Sequence, residues 1–224
     1  RSYIKFKKSD LPFVTCKFAI SKDYYSINKK ERWITNIFSR GRVHLLRSMH
    51  DCLITSSSTI NLDNPELTCR ISGLERYSPS RVILDKNLNI KKNLKILKQA
   101  NKYKTLIFYN REDNKKIKLI QNYGVKFVKI PLDENKNLDL IYCLEKIKKL
   151  GYSRVFLESG LKLTTEFMKK NLIDDLLLFI SNNKIKKNGR GSFKKIFNYL
   201  LNNKSKKIEK VYLFGDKLLS FKIK

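Results

Sequence analysis

Two short polar segments of the sequence lie where an α/β sheet could bind a phosphate. Residues 55–59 (TSSST) follow an apolar, strand-like segment that begins at Cys52, and residues 158–162 (ESGLK) follow another that begins at Arg154. A helix that starts directly after a strand presents unpaired amides and the positive end of its dipole, and both favour anions. Both segments are therefore candidate phosphate sites, although a solvated turn is the alternative interpretation of the serine run.

A longer pattern of polar residues surrounds the first of these segments. Residues 46–70 read LRSMHDCLITSSSTINLDNPELTCR, and W-I-T precedes them at residues 33–35. The pattern resembles the reductase domain of the bifunctional deaminase-reductase family of riboflavin biosynthesis. That family reads approximately W-I-T, then L-R-A-x-S-D-A-I-L-x-G-x-x-T-x-x-x-D-x-P-x-L-T-x-R. The polar positions agree in register over about forty residues, and the resemblance extends over about residues 12–220.

The resemblance implies a reaction, a cofactor and a partner. It implies 5-amino-6-(5-phosphoribosylamino)uracil reductase, in which hydride passes from NADPH to C1 of the opened ribose and gives a ribityl chain. The expected substrate is a phosphorylated pyrimidine-ribose, and the expected assembly is a homodimer. We expect no membrane partner, because no apolar run reaches the roughly 18 residues that span a bilayer. We expect a cytoplasmic enzyme, because the cysteines are interpreted as reduced thiols in or near the core.

The resemblance also assigns cofactor contacts to particular residues. Trp33 would border the cofactor, Thr59 and Asp63 would contact the nicotinamide dinucleotide, and Gly160 would let the backbone approach its pyrophosphate. The full set of expected cofactor residues is Ala19, Trp33, Thr59, Asp63, Gly160, Leu161 and Lys162.

Four residues are assigned to the substrate in the same way. Arg47 and Arg70 resemble the two arginines that hold the sugar phosphate, a task for which the guanidinium group is suited. Leu67 would pack against the substrate. Glu158 resembles the carboxylate that accepts a hydrogen bond from it, although alone it could equally be an acidic residue at a helix N-terminus.

Several positions depart from the family pattern. Glu31 stands where the family has a substrate-binding serine, and Lys86 stands where it has a serine after a strand. Leu161 and Lys162 replace Pro-Thr of the phosphate loop, and Lys162 can contact phosphate directly. These departures leave open a reductase of the same fold that acts on another pyrimidine or pterin-like substrate.

The charge of the chain is extreme, with 49 basic and 20 acidic residues and a formal net charge of +29. Such a surface attracts polyanions, so a non-catalytic, basic RNA-binding module is an alternative function. The basic residues are, however, scattered over the whole chain, which is typical of an organism with biased codon composition. We therefore expect no specific nucleic-acid partner.

The cysteines and histidines predict no metal site. The four cysteines include no C-x-x-C pair and are expected to be reduced, and His44 and His50 would lie on different sides of a helix. The His-x-Glu and Pro-Cys-x-x-Cys pattern of a zinc deaminase is absent, so a deaminase domain of the parent protein would precede Arg1.

Apolar and polar segments alternate along the chain in a strand–helix rhythm. This rhythm predicts an α/β fold with a mixed, mainly parallel sheet and an antiparallel C-terminal edge, which is the outline of the dihydrofolate-reductase-like three-layer fold. Residues 1–11 are expected to be an N-terminal extension or linker remnant, and residues 12–224 the NADPH-dependent reductase domain. The predicted strands cover residues 13–20, 52–55, 81–84, 105–109, 125–130, 154–157, 176–180, 210–214 and 218–223. The predicted helices cover residues 37–49, 94–100, 114–123, 138–150 and 163–170. The apolar positions expected to face the core are Val43, Leu46 and Met49 in the first of these helices and Leu140, Ile141, Leu144 and Ile147 in the fourth.

Overall fold

The computed structural model describes residues 1–224. The chain forms eight α-helices and eleven β-strands. The helices are α1 (Ser2–Lys8), α2 (Ile37–Ser48), α3 (Ser57–Asp63), α4 (Lys95–Lys98), α5 (Asn114–Gln121), α6 (Leu140–Lys149), α7 (Leu161–Lys169) and α8 (Lys194–Asn203). The strands are β1 (Phe13–Ile20), β2 (Tyr25–Asn28), β3 (Cys52–Ser56), β4 (Ser80–Leu84), β5 (Thr105–Tyr109), β6 (Lys126–Lys129), β7 (Arg154–Glu158), β8 (Asp175–Ile180), β9 (Gly189–Ser192), β10 (Ser205–Ile208) and β11 (Lys217–Lys222).

These elements belong to two compact units, each made of two chain segments. The first unit contains Arg1–Phe13 and Leu46–Leu157, and the second contains Val14–Leu45 and Glu158–Lys224. The strand pairings within each unit are described separately below.

The sheet of the first unit is entirely parallel. Its strands lie in the order β7-β3-β4-β5-β6, and one helix follows each of β3, β4, β5 and β6 along the chain. The central strands are continuous apolar runs such as Leu53 and Ile54, which are fully buried. This composition is typical of parallel strands that are covered on both faces. The predicted alternation of strands and helices is confirmed.

The sheet of the second unit is mixed. Strand β1 pairs in parallel with β8, whereas β8 pairs antiparallel with β11 and β11 antiparallel with β10. A separate antiparallel ribbon joins β2 to β9. The predicted mixed pairing, mainly parallel and with an antiparallel C-terminal edge, is confirmed.

The partner strand at that edge was predicted in the wrong place. Residues 205–208 form β10, whereas residues 210–214 form no strand and lead into a turn in which Phe214 and Gly215 have φ of 50° and 92°. Every residue of β10 is exposed, and two of them are lysines. A charged edge strand carries no apolar signal, and the lysines discourage pairing with another chain.

Helix α8 was missed, and two residues were assigned to the wrong face of their helices. In α8, Phe197 and Leu200 are buried three residues apart, a helical spacing that the surrounding lysines and asparagines obscured. Met49 and Ile141 were predicted to face the core but are exposed, whereas Cys143 is buried in α6.

The cysteine side chains lie in the interior of the fold. All four cysteines are buried free thiols, and burial raises the pKa of the Cys16 thiol to about 12. No group of acidic, histidine or cysteine side chains is arranged to hold a metal ion. None of the helices combines the length and the apolar content that a membrane span requires.

Candidate functional site

The serine run of the first unit forms the start of α3. Ser56 is the N-cap, and its Oγ accepts a hydrogen bond from the Thr59 amide at 3.3 Å. The Ser56 hydroxyl also lies 2.9 Å from that of Ser58 and 3.0 Å from that of Thr59. A serine at this position satisfies an amide that the helix leaves unpaired. The run is therefore an ordered cap and not only a solvated turn.

A buried carboxylate fixes the same end of the first unit's sheet. Asp85, directly after β4, accepts hydrogen bonds from the Ser57 hydroxyl at 2.9 Å and from the amides of Asn89 and Ile90 at 2.8 and 2.7 Å. Because Asp85 is almost fully buried, these bonds compensate the cost of burying its charge. Asp85 thus joins α3 to the loop that follows β4.

The segment after α3 carries the predicted substrate residues in an irregular backbone. Asn64 ends the helix in the left-handed region with φ of 43°, and Leu67 is also left-handed with φ of 57°. A buried leucine with positive φ costs on the order of 1–3 kcal/mol, and such strain occurs most often at functional sites.

Two buried arginines hold this segment on either side of Leu67. Arg47 donates from Nη1 to the Thr68 carbonyl at 2.9 Å, and Arg81 donates from Nη1 to the Glu66 carbonyl at 3.0 Å. The carbonyls of residues 66 and 68 are thus anchored by separate guanidinium groups. The strained residue between them is fixed from both sides.

Arg81 is a functional candidate that the sequence analysis missed, since it was read only as the start of a strand. Its side chain is fully buried and also contacts the carbonyls of Ile96, Gln99 and Tyr103 and the Thr105 hydroxyl. Burial lowers the pKa of its guanidinium to about 10, so the group remains charged at neutral pH. An arginine at the start of an otherwise apolar strand was the signal for this role.

The two predicted phosphate-binding arginines differ in exposure. Arg47 is buried and bonded to the Thr68 carbonyl. The side chain of Arg70 is 51% exposed and forms a 3.8 Å ion pair with Glu66, four residues earlier in sequence. Arg70 is therefore accessible to a ligand from solvent. Arg47, in contrast, contributes to the structure of the segment through its hydrogen bond to Thr68.

The second unit places three of its predicted residues at the start of α7. Gly160 is the N-cap of this helix, and the first residues after it are Leu161 and the exposed Lys162. The φ of Gly160 is −71°, which any residue can adopt. Glu158, at the end of β7, is half-buried two residues earlier.

A cavity of about 580 Å³ lies within the second unit. Three segments line it: residues between Asn28 and Asn36, residues 181–185, and Phe214 with Asp216. Its lining is rich in amide and hydroxyl side chains, and Glu31 and Trp33 both belong to it. Trp33 is 52% exposed, and the guanidinium carbons of Arg32 and Arg40 lie 4.8 and 4.9 Å from its ring centroid.

Asp216 connects the three segments of the cavity wall. One carboxylate oxygen accepts from the Asn36 amide at 2.9 Å and from the Ser39 hydroxyl at 2.7 Å. The other accepts from the Asn182 amide at 3.1 Å. The sequence analysis did not select Asp216 as a site residue. Its position directly after the Phe214–Gly215 turn was the one local feature that could have indicated a role in the cavity wall.

Asp23 fixes the loop next to the cavity. It accepts hydrogen bonds from the Ser21 hydroxyl and from the amides of Ile185 and Lys186. Burial raises the pKa of this carboxyl, but the hydrogen bonds together outweigh burial and lower it. Asp23 therefore stays ionised and orders one end of the 181–185 segment.

A family model described as the RibD C-terminal domain matches residues 12–211. The chain belongs to the RibD C-terminal domain family.

Two relatives illustrate the extent of the match. The chain is 31% identical over 188 residues to the riboflavin biosynthesis protein RibD of Buchnera aphidicola subsp. Baizongia pistaciae (strain Bp), covering 76% of this chain and 48% of that protein. It is 25% identical over 165 residues to a protein of Buchnera aphidicola subsp. Acyrthosiphon pisum (strain APS) named 5-amino-6-(5-phosphoribosylamino)uracil reductase, covering 69% of this chain and 76% of that protein. The chain thus spans about half the length of the RibD relatives that it matches.

Solved structures support the same fold. RibD of Acinetobacter baumannii, form 2, matches with a TM-score of 0.80 and 22% identity, covering 99% of this chain and 60% of that chain. A dihydrofolate reductase from Enterococcus faecalis matches with a TM-score of 0.50 and 11% identity, covering 94% and 95%. The predicted dihydrofolate-reductase-like fold is confirmed.

Within this RibD C-terminal domain, the predicted residues divide between the two units. In the first unit, Arg47 is hydrogen-bonded to the carbonyl of Thr68, which lies in the same segment as Leu67 and Arg70. Thr59 and Asp63 lie on α3, just before this segment. The remaining predicted residues belong to the second unit. There Gly160, Leu161 and Lys162 are consecutive, Trp33 lines the cavity, and Ala19 lies on β1 opposite Phe179 of β8.

Proposed function

We propose that this chain is the reductase part of a riboflavin biosynthesis protein and reduces 5-amino-6-(5-phosphoribosylamino)uracil with NADPH. One observation carries the proposal most strongly. A hydrogen bond from Arg47 to the Thr68 carbonyl joins two parts of the family pattern in the first unit. Arg47 belongs to the L-R part, and Thr68 belongs to the D-x-P-x-L-T-x-R part. Membership of the RibD C-terminal domain family and the relative named as this reductase support the same reaction.

In the first unit we assign the substrate phosphate to Arg70 and Arg47. Arg70 is exposed and its ion pair with Glu66 is long, so a phosphate can replace that carboxylate at low cost. Arg47 donates from Nη1 to the Thr68 carbonyl, and its guanidinium group has the planar donor geometry that suits a phosphate. Leu67 would then offer an apolar contact from a backbone whose conformation is already fixed.

The residues of the second unit fit a nicotinamide dinucleotide. The N-terminus of α7 presents amides beside the exposed Gly160, and Lys162, two residues later, adds a positive charge in the same turn, a combination that suits a pyrophosphate. The cavity beside Trp33 offers amide and hydroxyl groups to a polar ring. When bound, NADPH supplies the hydride for the reaction.

The contribution of the protein to the reaction would be to position the reactants. Reductions of this kind need the reacting atoms close together, oriented and shielded from water, and no nucleophile from the protein. Fixed groups such as Leu67, held by two arginines, cost no reorganisation when substrate binds. We assign to Glu158 the acceptance of a hydrogen bond from the substrate.

A second candidate is a reductase of the same fold with a different pyrimidine or pterin-like substrate. The observation that favours it is the position of Glu31, which lines the cavity with Trp33 and brings a carboxylate where the family has a serine. A negative charge there disfavours a nearby phosphate. The second candidate also predicts NADPH binding, so turnover of substrate separates the two.

The test is the oxidation of NADPH followed by absorbance in the presence of 5-amino-6-(5-phosphoribosylamino)uracil. The proposal expects oxidation that depends on both substrate and enzyme and that saturates with each ligand. NADPH binding without turnover of this substrate would favour the second candidate. Failure of NADPH and NADH to raise the melting temperature at millimolar concentration would contradict both reductase functions, because a ligand that binds the folded state stabilises it by mass action.

A further inference from the structure

One carboxylate in the second unit holds together three loops that the chain connects only distantly. Asp216 is 9% exposed and accepts three hydrogen bonds, from the Asn36 and Asn182 amides and the Ser39 hydroxyl. Both of its oxygens are used. Nearly two hundred residues of sequence separate Asn36 from Asp216, so this contact is a long-range tie and not a local turn.

Asn36 makes the same connection in the opposite direction. Its side-chain amide donates to the carbonyls of Leu213 at 2.6 Å and Phe214 at 3.1 Å. Its side-chain oxygen accepts from the Ser39 amide at 2.9 Å, as an N-cap does at the start of α2. Asn36 and Asp216 therefore bond each other's loops reciprocally, and α2 begins at the point where they meet.

The loop fixed in this way contains Trp33. Trp33, Ile34, Thr35 and Asn36 line the cavity in sequence, so an anchor at Asn36 sets where the indole lies on the cavity wall. Trp33 itself is half exposed, and the guanidinium groups of Arg32 and Arg40 lie over its ring, contacts that contribute little to ordering an exposed loop. The loop is anchored at Asn36 by Asp216 and at Thr35, whose carbonyl accepts a hydrogen bond from Arg40 at 2.7 Å. Of these two anchors, only Asn36 connects the loop to the opposite cavity wall.

We propose that Asp216 is a positioning residue for cofactor binding, which acts by holding the Trp33–Asn36 loop against the cavity. This inference rests on the proposed function, since it takes the cavity to be where the nicotinamide cofactor binds. Asp216 contacts no reacting atom. It determines whether the loop is ordered before the cofactor arrives, and a preorganised loop binds more tightly than one that must be ordered on binding.

The chemistry of the three donors requires a carboxylate. All three partners donate, and an ionised carboxylate accepts at both oxygens. Asp216→Asn keeps the size and shape but places an NH₂ group against one of these donors, so at least one hydrogen bond is lost. Ser39→Ala removes one donor and leaves the carboxylate with the other two, which gives a milder version of the same change.

The experiment compares Asp216→Asn and Ser39→Ala with a matched control, Asp113→Asn. Asp113 is an exposed N-cap that accepts from the Lys116 amide, a position where asparagine caps equally well. The first readout needs no cofactor: acrylamide quenching of Trp33, the only tryptophan of the chain. We expect quenching to rise in Asp216→Asn, to rise less in Ser39→Ala, and to match the wild type in the control.

The second readout is NADPH affinity and its effect on steady-state kinetics. We expect Asp216→Asn to raise the KM for NADPH about tenfold, the scale of one charge-assisted hydrogen bond, with kcat changed by less than about twofold. A purely structural role predicts instead a lower kcat at unchanged KM, because fewer molecules are folded. Unchanged Trp33 quenching in both variants, or a kcat effect alone, would overturn the inference. Failure of the wild type to bind NADPH would overturn the proposed function and the cofactor role, while the quenching result would still report on the loop.

Discussion

Replacement of Arg70 by alanine tests the assignment of the substrate phosphate most selectively. Arg70 is half exposed and its one described ion pair, with Glu66, is 3.8 Å long. Exposed ion pairs of this kind contribute about 0–1 kcal/mol to stability. The alanine variant should therefore fold as the wild type does, and any functional change can be attributed to the ligand.

The expected magnitude follows from the type of bond that is lost. A hydrogen bond between charged groups contributes about 1.5–3 kcal/mol. If Arg70 makes one such bond to the substrate phosphate, its loss raises the KM for substrate about 10- to 150-fold. The dissociation constant for NADPH should change by less than about twofold, since Arg70 is not among the residues assigned to the cofactor.

Steady-state kinetics with each ligand varied in turn gives the KM values, and thermal unfolding gives the stability of the variant. The matched control is Lys118→Ala on α5, which removes one exposed positive charge from the same unit. The control excludes a general effect of net charge on an anionic substrate.

Arg47→Ala provides an internal comparison. Because Arg47 is buried and anchors the Thr68 carbonyl, its loss should raise the substrate KM and also lower the melting temperature. The reasoning is refuted if Arg70→Ala weakens NADPH and substrate equally, or if it behaves like Lys118→Ala. Either result would move the phosphate site elsewhere without changing the fold or the family.

Three further predictions concern stability, pH and charge. Arg81→Met should lower the free energy of unfolding by about 3 kcal/mol, because five acceptors lose their buried donor. The control Arg76→Met, on the surface, should change it by less than about 0.5 kcal/mol. Urea unfolding measures both values. Burial lowers the pKa of His50 below its ordinary 6.5, so the folded state favours the neutral ring. The contribution of His50 to the free energy of unfolding should therefore be complete above pH 6.5 and should decline as the pH falls below it. His50→Gln should remove this decline between about pH 7 and pH 5.5. RNA affinity should collapse between low and physiological salt without sequence preference, and tight, selective binding at physiological salt would contradict this.

The elements that were predicted correctly are buried, and their own sequences are apolar, so a local window of sequence is enough to indicate them. Strand β5 (Thr105–Tyr109) was placed at its observed bounds because its interior is continuously apolar and buried. Strand β10 (Ser205–Ile208) was missed because an exposed, lysine-containing edge has no such pattern. Its position depends on pairing with β11, a long-range property that no local window contains.

The same distinction applies to the candidate site. Arg47 and Arg70 could be selected because they belong to a motif whose register the sequence preserves. Arg81 and Asp216 could not be selected, since their importance comes from acceptors and donors brought to them by folding. Among 49 basic residues, composition alone cannot separate a buried arginine from a solvated one.

The central claim, that this chain transfers hydride to the ribose of its substrate, is tested most directly by isotope transfer. The enzyme is incubated with 5-amino-6-(5-phosphoribosylamino)uracil and with NADPH that carries deuterium at the transferable position of the nicotinamide, and the product is analysed by mass spectrometry. The account predicts a ribityl product that contains one deuterium at C1. A ribityl product without deuterium, or no reduced product while a verified family reductase converts the same substrate, would contradict it.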